Sequence, residues 1–227
     1  SQQAASSYSG LFLDNLWIGA VGGIEEIQEI LKQGASFSER FDLVLDATHP
    51  FALQITHDLY EACAIFKQQM VRFERPLISP AWANYINDVQ ELSQYNLKEE
   101  RILFAIGSRS LRDGVVAARK AGAIPFARII NTPESLKLAL SSMLKDENLA
   151  LLKPFQGNNV GEYESALCEK WSITSVICRQ SGGITQKLWQ EICEKHKINL
   201  WLVSRPKQIR GLNTIENVDK LLEIYAD

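Results

Sequence analysis

The residues Asp46-Ala47-Thr48-His49-Pro50 put a carboxylate, a hydroxyl and an imidazole side by side in the chain. Of the three, the imidazole alone titrates near neutrality, so His49 is the candidate for proton transfer; its competing role is to shape the turn before Pro50. Asp46 suits a different task, accepting backbone hydrogen bonds that organise the loop. A second set of residues points to anions. Arg75, Gly107-Ser108-Arg109, Lys153, Arg179 with Ser181-Gly182-Gly183, and Ser204-Arg205 each follow a short apolar run. The planar guanidinium fork bonds both oxygens of a carboxylate or phosphate at once, and Gly-Ser turns leading into helices expose backbone N–H groups to anions. Any one of these arginines could equally form a surface ion pair of little energetic weight. As a group they imply a polyanionic ligand.

Elements that could position these residues are legible in the hydrophobic pattern. Asp42 to Ala47 is an apolar run without polar alternation, as expected of a strand buried on both faces of a parallel sheet. Ile55, Leu59, Ala62, Cys63 and Phe66 then recur at helical spacing, with Pro50 placed in the first turn, and Met70 to Phe73 supplies a second strand. Further strands are expected at Leu16 to Ala20, Ile102 to Ile106, Ile124 to Ile129, Leu149 to Leu152, Ile173 to Cys178 and Asn199 to Val203. The spacing predicts helices over Ile24 to Lys32, Phe51 to Gln68, Leu111 to Ala121, Pro133 to Lys145, Glu162 to Trp171, Thr185 to His196 and Ile215 to Tyr225. This alternation is that of an α/β protein with parallel sheets, whose ligands bind at the carboxyl ends of the strands. The segment between Pro76 and Glu100 has no long periodic run, so two domains are expected, residues 1–98 and residues 99–227.

Composition excludes several classes. The 24 basic residues are outnumbered by 27 acidic ones, which gives no reason to expect nucleic acid. Cys63, Cys168, Cys178 and Cys193 form no CxxC pair and fall in apolar periodic segments, as reduced buried thiols of a cytoplasmic protein would. The three histidines have no zinc-site spacing, so no metal is expected. No apolar run approaches the roughly 20 residues that span a bilayer.

The string Asp46-Ala47-Thr48-His49-Pro50-Phe51-Ala52, followed by Arg72-Phe73-Glu74-Arg75-Pro76, resembles the signature of the precorrin-6A reductases, including their cobalt-precorrin-6A counterparts in cobalamin biosynthesis. Ile106-Gly107-Ser108-Arg109 is similar to that family's Gly-Ser turn, and Arg179-Gln180-Ser181-Gly182 to its Lys-Asp-Ser-Gly turn. Val203-Ser204-Arg205-Pro206 resembles its late Arg-Pro. Two departures stand out: Lys153 replaces a glycine before Pro154-Phe155, and Gln180 removes a carboxylate. Family members open on a strand, a glycine-rich turn and a helix. The present sequence lacks that opening: either the first βα unit is removed or unrecorded, in which case Ser1 to Ser9 would follow the family's second strand, or a natural form lacks it.

The resemblance implies two Rossmann-like domains with a cleft between them and an NADPH-dependent oxidoreductase acting on a corrinoid polycarboxylate, by hydride transfer to a double bond of the macrocycle. It implies cofactor contacts at Asp46, Ala47, Thr48, Pro50, Gly107, Ser108 and Arg109, and substrate contacts at Arg75, Lys153, Arg179, Ser181 and Gly182. Two other readings stay open: a cofactor-free tetrapyrrole enzyme of the uroporphyrinogen-III synthase type, and a non-catalytic tetrapyrrole-binding chain. Oligomeric state, the presence of cobalt in the substrate and the source of the proton are not legible in the sequence.

Overall fold

Short, continuous apolar runs form the sheets, and amphipathic segments between them form the helices. The computed structural model describes residues 21–36, 41–153 and 161–225. The strand expected at Leu16 to Ala20, the residues Ser1 to Ser9 and the pair Pro154-Phe155 lie outside them. By backbone contact the chain divides into two units, the first ending at Glu74 and resuming at Lys207, the second running from Arg75 to Pro206.

The first unit contains α1 (Ile24–Ser36), β1 (Val44–Asp46), α2 (Leu53–Phe66), β2 (Met70–Phe73), β9 (Thr214–Ile215) and α7 (Val218–Tyr225). Its three strands are parallel in the order β1-β2-β9. Ile27 and Leu31 of α1 pack with Ala62 and Cys63 of α2, and Val44, Leu59, Phe66 and Met70 close the cluster. The sequence pattern predicts a last helix from Ile215 and places residues 99–227 in the second domain. Pairing of Thr214 and Ile215 with Arg72 and Phe73 instead makes them a strand of the first unit. Helix α7 starts later, where the Asn217 side chain accepts from the Asp219 N–H.

The second unit holds β3 (Asn84–Ile86), β4 (Arg101–Ala105), α3 (Leu111–Lys120), β5 (Ile124–Ile130), α4 (Pro133–Leu140), β6 (Leu149–Leu152), α5 (Glu162–Lys170), β7 (Ser175–Arg179), α6 (Ile184–His196) and β8 (Asn199–Val203). Its six-stranded sheet is parallel throughout, in the order β3-β8-β7-β4-β5-β6. Leu103, Val176, Cys178, Leu200 and Leu202 of the central strands form the core with Cys168, Trp171, Leu188, Trp189 and Ile192 of the helical layer. Helix α4 stops five residues short of the expected Lys145. Ser141 and Ser142 turn their hydroxyls back to the Leu138 and Ala139 carbonyls, and Met143 takes a left-handed φ of 56°. Edge strand β3 is not legible in the sequence, because Asn84-Tyr85-Ile86 is too short to display a period.

The strand order fixes where ligands can go. From β4 the chain moves outward to β5 and β6; from β7 it moves the other way, to β8. Because parallel crossovers are right-handed, α3 and α6 leave the sheet on opposite faces, which opens a crevice outside the carboxyl ends of β4 and β7. The same ordering leaves Lys153, after β6, two strands from β4, roughly 10 Å away at the usual strand spacing.

Candidate functional site

In the first unit the chemistry is arranged around a residue absent from the sequence-based candidates. Asp46 and Arg72 are register partners on β1 and β2, each 1 % exposed, and the Arg72 Nη1 lies 2.6 Å from the Asp46 Oδ2. The same guanidinium donates to the Thr48 hydroxyl at 2.7 Å, the Thr56 hydroxyl at 3.1 Å, the Thr48 carbonyl at 2.9 Å and the Glu74 carboxylate at 3.3 Å. Thr56 donates to Asp46 Oδ2 and the Thr48 N–H to Asp46 Oδ1. Gln208, from the C-terminal segment, donates to Glu74 at 2.6 Å. Burial alone would push the Asp46 carboxyl up, but the hydrogen bonds from Thr56, from the Thr48 backbone and side chain, and from Arg72 outweigh it and hold the group below the usual carboxylate range. A signal for Arg72 was present: a lone cation inside the apolar run Met70-Val71-Arg72-Phe73 must be paired if the strand is buried.

The lowered Asp46 value has a consequence for pH. Its contribution to stability is fully present above the ordinary unfolded carboxyl value of about 3.9 and is lost as pH falls through the lower, folded value. Asp46→Asn is therefore expected to be less stable than the parent at neutral pH in urea unfolding. That gap narrows as pH is taken below about 4.

The loop held by this network presents His49. Its carbonyl accepts from the Ala52 N–H at 2.7 Å, closing a turn with Pro50 at the second position, where the fixed φ of proline is favoured. Pro50 thus precedes α2 instead of sitting in its first turn, where the sequence pattern predicts it. His49 Nδ1 accepts from the Phe51 N–H at 3.2 Å, so the neutral imidazole carries its proton on Nε2. Ala47 and His49 are exposed, while Pro50 is buried. Asp46, counted from the sequence among cofactor contacts, has both oxygens engaged inside the unit and supports the loop from beneath.

In the second unit the crevice at β4 and β7 gathers Gly107, Ser108 and Arg109 from one side and Arg179, Ser181 and Gly182 from the other. Gly107 has a φ of 83°, which suits glycine and lets the chain turn sharply out of β4. Ser110, the cap of α3, makes no side-chain bond to the helix's first N–H groups, and its hydroxyl stands 3.5 Å from Arg179 Nη2. Burial first, and then the charge of neighbouring Arg109, push the Arg179 guanidinium below its usual value. Two cations brought this close while one is partly desolvated favour an anion between them.

Arg75 and Arg205 have different tasks. The guanidinium of Arg75 lies over the turn, because a Cβ on Gly183 would meet its Nη1 at 2.6 Å. Arg205 donates to the carbonyls of Arg75 at 2.6 Å, Pro76 at 3.3 Å and Gln180 at 3.4 Å, which commits it to structure. Gln180, where the family's carboxylate is replaced, is buried; it donates to the Ile78 carbonyl and the Ser79 hydroxyl and accepts from the Arg205 N–H. Gln186 of α6 also donates to the Ile78 carbonyl and accepts from the Gly182 N–H at 2.8 Å. Lys153 is exposed at the end of β6 and is not brought to the Arg109 and Arg179 pair. Among the described residues no group of three or more His, Cys, Asp or Glu could hold a metal ion, and no helix is long and apolar enough to cross a membrane.

Residues 2–225 match the family model described as precorrin-6x reductase CbiJ/CobK. The cobalt-precorrin-6A reductase of Synechocystis sp. is 30 % identical over 196 residues, covering 82 % of this chain and 70 % of that protein. The precorrin-6A reductase of Mycobacterium tuberculosis is 24 % identical over 203 residues, covering 89 % of this chain and 77 % of that one. Among solved structures, a CobK precorrin-6A reductase superposes with a TM-score of 0.72 at 22 % identity, over 93 % of this chain and 81 % of that chain, a likeness of fold.

Proposed function

The chain belongs to the precorrin-6x reductase family, and from that premise we propose that it reduces precorrin-6A or its cobalt complex to the 6B form with NADPH as the hydride donor. The observation that carries this reading is the placement of the Gly107-Ser108-Arg109 turn, the uncapped start of α3 and Arg179 together at the switch point of a parallel sheet, an arrangement that suits anions. Both ligands are anionic: the macrocycle bears acetate and propionate arms, and the cofactor bears phosphates.

The residues present fit such a cofactor. Exposed Ala47 and the His49 Nε2–H offer a flat, polar edge beside a fixed loop, and the uncapped start of α3 offers backbone N–H groups beside Arg109. When bound, NADPH supplies the hydride. The chain's own part is orientation and exclusion of water more than acid or base strength. Ala47, Thr48 and His49 flank the nicotinamide, with Asp46 and buried Pro50 acting through the loop. Gly107, Ser108 and Arg109 take the cofactor's polar groups. Arg179, Gly182 and Arg75 meet carboxylates of the substrate, buried Ser181 acts through the turn, and Lys153 meets an outlying carboxylate. His49 is the residue placed to pass a proton. The cofactor-free synthase reading has no comparable support.

The test is anaerobic incubation of full-length protein with precorrin-6A and, separately, its cobalt complex, following NADPH absorbance. Saturable consumption with one of the two is expected, and whichever supports it identifies the substrate. No consumption with either would overturn the proposal.

A further inference from the structure

Among the described residues of the first unit, Arg72 is the most connected buried side chain, and its partners fall into two groups. Asp46 and Glu74 balance its charge. The hydroxyl and carbonyl of Thr48 do not; they are neutral groups of the residue next to His49, gripped at 2.7 and 2.9 Å by two different nitrogens of one rigid fork. Two bonds from a planar group to one residue fix both the position and the rotation of that residue. Burial requires that the N–H groups of the fork find acceptors, but it does not require that two of them converge on the residue beside His49. From this geometry we infer that Arg72 is a positioning residue of the reaction: it sets where Thr48 and the exposed His49 ring stand against the nicotinamide. The inference rests on the reductase reading given above.

The fork also separates Arg72 from any other cation. A lysine at this position could keep the ion pair with Asp46, yet its single nitrogen cannot reach the Thr48 hydroxyl, the Thr48 carbonyl and Glu74 together. Arg72→Lys is therefore the informative variant, with Leu31→Ala as a matched control. Leu31 is buried between α1 and α2, so its truncation weakens the same unit without touching the loop.

Two readouts are combined. In hydrogen exchange, the Thr48 N–H, bonded to Asp46 Oδ1, is expected to lose protection in Arg72→Lys well beyond any change at the Val71 amide of β2. In Leu31→Ala the two amides are expected to change together. In steady-state kinetics, Arg72→Lys is expected to reduce kcat/KM for NADPH about tenfold to a hundredfold while the KM for the corrinoid stays within about twofold. Leu31→Ala should leave both constants near those of the parent. Unchanged Thr48 protection in Arg72→Lys, or kinetic losses shared equally by Leu31→Ala, would overturn the inference. Failure of the parent protein to oxidise NADPH would instead sink the reductase reading, and the exchange result would still decide whether Arg72 fixes the loop.

Discussion

Arg72→Met is expected to cost the protein about 3–5 kcal/mol of stability, the usual penalty for removing one partner of a buried ion pair. Methionine fills similar space but leaves Asp46 and Glu74, 1 % and 3 % exposed, without the cation that balances them. The hydroxyls of Thr48 and Thr56 lose a donor at the same time. Urea unfolding followed by circular dichroism would read the loss. Adding Asp46→Asn to Arg72→Met is expected to recover part of it, because the stranded carboxylate is then gone. Two separate losses that simply add would contradict a shared network.

Gly182→Ala is expected to be the most damaging small change in the second unit. Gly182 has a φ of 69°, and a Cβ there would fall inside contact distance of the Pro76 carbonyl oxygen and beside the Arg205 guanidinium. The backbone conformation alone costs of order 1–3 kcal/mol for a residue with a side chain. The Pro76 carbonyl cannot swing aside, since the segment from Arg75 to Ser79 is tied down by Arg205, Gln180 and Gln186. The turn must therefore move, carrying Ser181 away from Arg179 and lowering kcat/KM by about a hundredfold. Gly183→Ala provides the contrast. Its φ is an ordinary −105°, and its new methyl would meet only the far end of the flexible Arg75 side chain. Stability close to the parent's is expected there. Equal losses from both variants would contradict the steric explanation.

How far the sequence carries this picture depends on the kind of feature. The strands Met70–Phe73 and Asn199–Val203 stand where their apolar runs do, because a strand largely buried on both faces needs no alternation to be read, and Leu149–Leu152 follows its apolar run although it is a partly exposed edge strand. The parallel α/β class followed from the same runs. Two short strands did not follow: β3 and β9 owe their existence to neighbours, Asn84 to Ile86 lying along β8 and Thr214 to Ile215 along β2. Nor could the sequence show that Asp46 and Arg72 are opposite one another, since register is a property of the sheet. The result is that Asp46, Thr48 and His49 were legible as a loop, whereas the cation that fixes the loop was hidden in a strand. Likewise Arg179 and Arg205 looked alike as arginines after strands. Their difference, one beside Arg109 and one committed to three backbone carbonyls, is visible only in three dimensions.

The central claim is that these turns serve a hydride transfer, and the most direct measurement follows the hydrogen itself. Full-length protein would be mixed anaerobically with precorrin-6A or its cobalt complex and NADPH carrying deuterium at one or the other face of C4, and the product weighed by mass spectrometry. The expected result is a product that gains a single deuterium from one face of the cofactor and none from the other. A reduced product without deuterium from either face, or no reduced product at all, would contradict it.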